Sequence, residues 1–335
     1  MLLRRNGSAN LTQESYFLNA FCVTISNMTD RVAAAARTLV SRFRRQRPVR
    51  AGSLLITILG DAIAPRGGTI TLASLIRLAR PFGITERLVR TSVGRLAKEG
   101  WLTSRRSGRQ SEYVLSEHGQ HRFAEATRRI YGESPHSWDE HWTLLLLPPA
   151  SSGARDRARE EMLWLGFGQL GPALLAHPNL GVEDAQRQLA ELRIDGEVVV
   201  MRARSAGADA DRKLAATGWN LDELGRSYHR FVAGFAPLRD VLATRAGLAA
   251  ETAFVIRTLL VHEYRKIHLR DPLLPRALLP ADWIGEAAYG LCRELYRAVF
   301  ALAEEHLSAT AGTLSGDLDR LETTALRRFG GLRRG

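Results

Sequence analysis

Two groups of side chains have types and spacings that can do chemistry. The first lies on Ile84 to Lys98, ITERLVRTSVGRLAK. At about 100° per residue, Arg87, Arg90, Thr91, Gly94, Arg95 and Lys98 share one face. Leu88, Val89, Val93 and Leu96 fall opposite and are expected to meet a core. The polar face holds cations, a hydroxyl and a glycine, with no carboxylate in its middle. Long cationic side chains on a rigid helix reach guanine edges and phosphates in a major groove. Taken alone, such a face often only solvates a surface helix. The second group is His262–Glu263–Tyr264–Arg265–Lys266 with His268, Arg270 and Asp271. His262–Glu263 resembles the start of a zinc helix, but that chemistry needs His at i and i+4. Position 266 is Lys and the next His is 268. Six residues rotate about 240°, so the two imidazoles diverge and this helix alone does not build a zinc site. The plain alternative is an ion-pair network, Glu263 with Lys266 and Arg270 with Asp271, that docks helices.

The neighbours of the first group decide its meaning. Ser53 to Ala62 (SLLITILGDA) reads as an apolar helix and Thr69 to Thr71 as a β-prone step. Leu72 to Arg80 reads as a helix and Pro81–Phe82–Gly83 as a tight turn. Thr85 suits an N-cap and Glu86 the positive end of the helix dipole. Trp101 to Arg105 and Glu112 to Leu115 read as strands joined by a basic turn, Arg106 to Ser111. Helix, strand, helix, turn, helix, hairpin is the order of a winged helix-turn-helix, in which the third helix enters the major groove. The expected DNA contacts are Thr85, Arg87, Arg90, Thr91, Arg95 and Lys98 on the helix. Arg105, Arg106 and Arg109 join them on the wing.

Composition agrees. The chain has 335 residues, enough for two or three domains. Its net charge is +12 and its pI near 10.5, a balance that favours polyanions. Cys22 and Cys292 have no metal or redox spacing, which suits inert thiols in a reducing cytoplasm. No apolar run approaches a membrane span, and Tyr16 to Ile25 makes a poor signal peptide.

The fold class expected is multidomain α+β. Residues 1–50 read as a basic, disordered extension, since Arg31 to Arg50 holds seven Arg and no acid. Val32 to Phe43 can still form a helix there, and Met28 offers an alternative start. Residues 51–132 form the winged helix-turn-helix, with Ser116 capping its last helix. Gly132 to Pro135 breaks the chain. Residues 138–205 alternate strands and helices in a ferredoxin-like pattern: Trp142 to Leu147, Ala154 to Trp164, Gly166 to Leu170, Val182 to Leu192 and Glu197 to Arg204. Ser205 to Asp211 is a linker. Residues 214–307 are helical, with Asp222 to Phe235, Glu251 to His268 and Ile284 to Leu307 as main segments. Residues 308–335 read as a flexible tail.

Three of these stretches resemble a known family. VHEYRKIHLRDPLLPRALLPADWIGEAAYGLCRELYR, Val261 to Arg297, is similar to the C-terminal region of PaaX-type transcriptional regulators. SLLITILGD and WTLLLLP fit the same family in order and spacing, so the resemblance spans roughly 51–307. It implies a repressor of phenylacetate-type aromatic catabolism genes; on that hypothesis the chain is expected to bind a double-stranded DNA operator as a homodimer. It also implies release by an aryl-acyl-CoA effector such as phenylacetyl-CoA, with no cofactor. An effector site would draw on Trp219, His262, Glu263, Tyr264, Arg265, Lys266 and Arg270. Arg265, Lys266 and Arg270 can pair with CoA phosphates. Tyr264, Trp219, Trp283 and Tyr289 can line an apolar slot. Two other readings stay open: a winged-helix regulator answering to a different aromatic ligand, and an enzyme that processes a CoA ester. The enzyme reading lacks a G-x-S-x-G elbow, a Walker loop, a G-x-G-x-x-G turn or a paired metal motif.

Overall fold

A computed structural model describes residues 31–46, 51–108, 110–132, 138–148, 153–193, 197–243 and 248–332. Cys22, Arg109 and most of the break after Gly132 lie outside them. The chain divides into two compact units. One comprises Met1–Gly132, Phe231–Lys266 and Tyr289–Gly335; the other comprises Glu133–Arg230 and Ile267–Ala288.

In the first unit, residues 31–45 form helix α1 rather than a disordered arm. Val32, Ala36, Leu39 and Phe43 recur at i, i+4, i+7 and i+11 and are all buried. The arginines occupy the remaining faces, so a charge run and an apolar stripe share one amphipathic helix. α2 (Ala51–Ile58) continues into a π-turn, Leu59–Ile63, and a 3-10 turn, Ala64–Arg66. Then follow β1 (Thr69–Thr71), α3 (Leu72–Ala79) and α4 (Glu86–Lys98). β2 (Leu102–Ser107) and β3 (Gln110–Leu115) make a hairpin, and α5 (Glu117–Tyr131) ends the segment. The sheet order is β1-β3-β2, all antiparallel. The hairpin is longer than expected, so Arg106 lies in a strand. Caps stand where the sequence places them: Thr85 accepts from the Leu88 amide at 3.4 Å and Ser116 from the Gly119 amide at 2.9 Å.

The second unit holds β4 (Trp142–Leu146), α6 (Gly153–Trp164), β5 (Gly168–Gly171), β6 (Leu174–His177), α7 (Val182–Glu191) and β7 (Val199–Ala203). Strand order is β5-β6-β4-β7 and every pairing is antiparallel. Period-two alternation sends Leu145 and Leu175 into one core with Ala158, Met162, Ala185 and Leu189 of α6 and α7. Trp142 and Ala176 face a second core, built with Leu221, Leu274, Leu278 and Leu279. Part of the expected linker is helix α8 (Ala208–Gly218), whose Asp211 accepts from the Trp142 indole at 2.7 Å.

The remaining helices are α9 (Leu221–Phe235), α10 (Pro237–Leu242), α11 (Ala250–His268) and α12 (Gly285–Thr310). The expected separate helical domain 214–307 is therefore divided between the two units. α11 explains why, since every residue from Ala253 to His262 is buried, and a helix buried all round must be enclosed. Its partners include Phe43 of α1, whose ring meets that of His262 edge-on at 5.5 Å, and Phe82 after α3, 6.1 Å from Phe254. The expected flexible tail is also ordered through 332. It forms the hairpin β8 (Gly312–Thr313) and β9 (Gly316–Asp317), then the turn Ala325–Gly330, with Phe329 fully buried. Its backbone closes onto the segment 51–132: the Leu314 amide donates to Glu112 at 2.7 Å and the Gly312 amide to Ser74 at 3.0 Å. Composition rich in Gly and Arg concealed these anchors.

Candidate nucleic-acid interface

α4 lies across the first unit with Val89, Val93 and Leu96 buried. Arg87, Arg90, Thr91, Gly94, Arg95 and Lys98 form the face read from the sequence, Thr85 is the N-cap before it, and the cations are exposed. Leu88 corrects the expectation. It is 42% exposed, because the helix turns it about 100° away from Val89 and onto the cationic side. Two arginines start in exposed i,i+4 ion pairs, Arg90 with Glu86 at 2.7 Å and Arg95 with Glu99 at 3.4 Å. Arg87 and Lys98 have no ion-pair partner among the described residues. The Thr91 hydroxyl donates to the Arg87 carbonyl at 2.9 Å. Beside the helix, Arg105 and Arg106 stand exposed on β2, opposite Glu112 and Ser111 of β3. Arg109 lies outside the described residues. One rigid helix and one hairpin thus present cations outward, which is a geometry suited to phosphates and base edges.

A buried polar cluster holds this scaffold. Asp61, in the π-turn after α2, is its centre. Its carboxylate accepts from Tyr131 at 2.6 Å, Tyr296 at 2.9 Å, Arg328 at 3.0 Å and Arg257 at 2.7 Å. Arg257 and Arg328 also donate to the Asp61 carbonyl, at 3.2 and 2.8 Å. Arg257 and Arg66 both pair with Glu304. Burial alone would raise the Asp61 pKa, but Arg257, Arg328 and the two phenols together hold it below the usual carboxylate range. Burial and the Asp61 charge push the Tyr131 hydroxyl well up, so it stays a donor. The cluster ties α2, α5, α11, α12 and the C-terminal turn around one carboxylate. Sequence reading passed over Asp61. The available signal was a single acid at the end of an apolar run, SLLITILGD.

The polar patch on α11 is not an open slot. His262 is buried, and its Nδ1 lies 2.9 Å from the Thr57 hydroxyl of α2. Burial, with Arg265 and Lys266 adding to it, holds its pKa well below 6.5, so it is neutral. Arg265 donates to Thr57 at 2.8 Å and to the Ser53 carbonyl and hydroxyl at 2.6 and 2.8 Å. Burial lowers its pKa to about 10, which leaves it charged at neutral pH. Glu263 pairs with Lys266 at 3.1 Å, one of the two ion pairs of the plain alternative, and accepts from Gln46 at 3.0 Å; Asp271, expected to pair with Arg270, accepts instead from Tyr228 at 2.7 Å and from the Leu273 amide at 2.8 Å.

Of the four aromatic rings expected around a slot, Tyr264 and Tyr289 belong to the first unit, while Trp219 and Trp283 both pack against the second core of the other unit. Tyr264 packs on Phe231, Trp219 on Trp142, Trp283 on Tyr228 and Tyr289 on Phe329. Arg270 is exposed and belongs, with Trp219, to the second unit. His268 bonds Tyr228 at 3.0 Å, while His262 bonds Thr57. No cluster of three or more His, Cys, Asp or Glu fit for a metal occurs among the described residues. Among the same residues, no helix is long and apolar enough to cross a membrane.

Comparison with known proteins adds three findings. Family models match three successive stretches: PaaX-like protein at 50–119, PaaX protein central Cas2-like domain at 135–215 and PaaX-like protein C-terminal domain at 219–309. Transcriptional repressor PaaX of Escherichia coli (strain K12) is 37% identical over 289 residues, which cover 85% of this chain and 92% of that protein. A solved structure, Uncharacterized protein Rv0674 from Mycobacterium tuberculosis, aligns with a TM-score of 0.47 and 25% identity over 72% of this chain and 91% of that one.

Proposed function

The chain belongs to the PaaX family, and from that membership we propose that it is a DNA-binding transcriptional repressor of phenylacetate-type aromatic catabolism genes. The observation that carries the reading is the exposed cationic face of α4 beside a basic hairpin. The segment 51–132 is read as a winged helix-turn-helix, with α4 as the helix that enters the major groove. The central sheet, with its β-α-β-β-α-β order and strand order β5-β6-β4-β7, is read as ferredoxin-like. A homodimer would place two α4 helices on the half-sites of an imperfect palindrome. The task is regulatory rather than catalytic.

Gly94 supports close approach by a partner. It sits on the cationic face of α4, and a Cβ there would meet nothing within 4 Å. Glycine inside a helix costs about 1 kcal/mol relative to alanine, and no contact among the described residues requires it. Gly94→Ala is expected to stabilise the protein by about 0.5–1 kcal/mol and to weaken duplex binding. Urea denaturation and a binding titration on the same sample check both signs. Gain of stability with unchanged affinity would remove Gly94 from the contact surface.

The effector is read, from the family resemblance, as an aryl-acyl-CoA such as phenylacetyl-CoA. His262, Tyr264 and Arg265 act in this reading through helix packing rather than as an open ligand wall. Fluorescence anisotropy on DNA from upstream of the protein's own gene, at fixed salt, tests it. Phenylacetyl-CoA should release the duplex, while phenylacetate and CoA should not. A hundredfold preference of the ligand for the free form corresponds to roughly 2.7 kcal/mol of coupling. Specific binding that ignores the thioester would keep the repressor and discard this effector.

A further inference from the structure

We propose that α1 is a second DNA-contacting element, whose Arg37, Arg44 and Arg45 bind backbone phosphates beside the groove that α4 enters. The proposal rests on the DNA-binding reading above and adds residues to its footprint. α1 borders an open groove of about 790 Å³ together with the turn before α4, the first turn of α4 and the start of α11. Arg37, Arg44, Arg45, Gly83, Leu88 and Glu251 are among its lining residues. The three arginines are exposed, and none has an ion-pair partner among the described residues. Glu251 is the one carboxylate among the described residues that line the groove, so the cations there are in excess.

Position favours a phosphate backbone over other anions. Arg44 lies against the turn that leads into α4, since a Cβ built on Gly83 would fall 2.8 Å from its Nε. Gly83 has φ +72°, a conformation that glycine adopts without strain, so the close approach costs nothing there. Leu88, exposed on the first turn of α4, lines the same groove. A helix in the major groove has a phosphate backbone along each side, and cations next to its first turn meet that backbone. Arg37 and Arg44 are two turns apart, about 10.5 Å along the axis. On its other face, α1 is anchored by the buried Val32, Leu39 and Phe43, so the arginines are carried on a packed helix rather than a loose arm.

The test is the salt dependence of binding by the full chain and by an Arg37→Gln/Arg44→Gln/Arg45→Gln variant. The probes are a duplex from upstream of the protein's own gene and a scrambled duplex of equal length. Each phosphate that is no longer neutralised should reduce the slope of log affinity on log salt by about 0.9. The variant's slope should therefore fall by up to about 2.7 on both duplexes, with binding to each at least about tenfold weaker at fixed salt. A triple Arg→Lys variant should recover most of the slope. Melting temperature should not change, since these side chains are exposed. If it does, Arg37→Gln alone, away from Gly83, should lower the slope by about 0.9. Unchanged slopes and affinities would overturn the proposal. Absence of preference for the upstream duplex in the wild type would instead sink the repressor reading, while the slope on the scrambled duplex would still decide the role of α1.

Discussion

Asp61→Ala is expected to destabilise the first unit by about 3–5 kcal/mol, the scale for breaking a buried ion pair on one side. The carboxylate accepts hydrogen bonds from two phenols and two guanidinium groups, all buried. Alanine leaves Arg257 and Arg328 in a dry interior with Glu304 as the nearby acid. Truncation therefore strands positive charge, whereas the intact cluster is worth far less in net terms because both signs were desolvated to make it. Asp61→Asn keeps the volume and one acceptor and should still cost more than about 2 kcal/mol. Denaturant midpoints measure both, and a change below about 1 kcal/mol for Asp61→Ala would show that the cluster does not hold the unit together.

Acid should act through the same group. The folded pKa of Asp61 is depressed, so its stabilisation is fully present above its unfolded value near 3.8 and declines as pH falls through the lower folded value. Buried neutral histidines act earlier in the same direction. His177, held down to about 4 by burial, accepts the Asn179 and Leu180 amides on Nδ1 at 3.0 and 2.7 Å. His262 is likewise depressed. Below about pH 6.5 the unfolded chain binds protons that these side chains refuse, so stability should decline from there downward.

The second large effect concerns α4 and has the opposite profile. Arg90→Ala or Arg95→Ala should leave stability within about 0.5 kcal/mol, because both side chains are exposed and pair i,i+4 on their own helix, with Arg95 also lying against Gly52 of α2. Binding to the operator should fall by about 1–3 kcal/mol for whichever arginine reaches a base edge. That is roughly 5- to 150-fold, concentrated on the cognate sequence. An arginine that meets only phosphate should instead weaken all duplexes alike and lower the salt slope by about 1. Anisotropy titrations on cognate and scrambled duplexes separate the two. Unchanged cognate affinity in both variants would remove α4 as the reading helix.

How much of this was legible in the sequence depends on whether the signal was local. α4 could be read because its caps, apolar stripe and cationic face all lie on one short stretch, next to the turn before it and the hairpin after it. Asp61 could not, since its partners Tyr131, Arg257, Tyr296 and Arg328 lie 70, 196, 235 and 267 residues away. Leu88 belongs to the same apolar pattern, yet the buried face of α4 holds only Val89, Val93 and Leu96. α1 was hidden by its arginines, and the C-terminal turn by its glycines, although Phe43 and Phe329 were anchors in plain view. On α11, His262 and Arg265 bond Ser53 and Thr57 of α2, a pairing that no spacing rule predicts.

The most direct test of the DNA-reading claim is a competition titration of the wild-type chain, at one physiological salt concentration, between its own upstream duplex and scrambled DNA. Sequence-specific reading by α4 predicts preference by a factor of at least about 10³. Equal affinity for both duplexes would contradict it and leave only the electrostatic attraction of a basic protein for a polyanion.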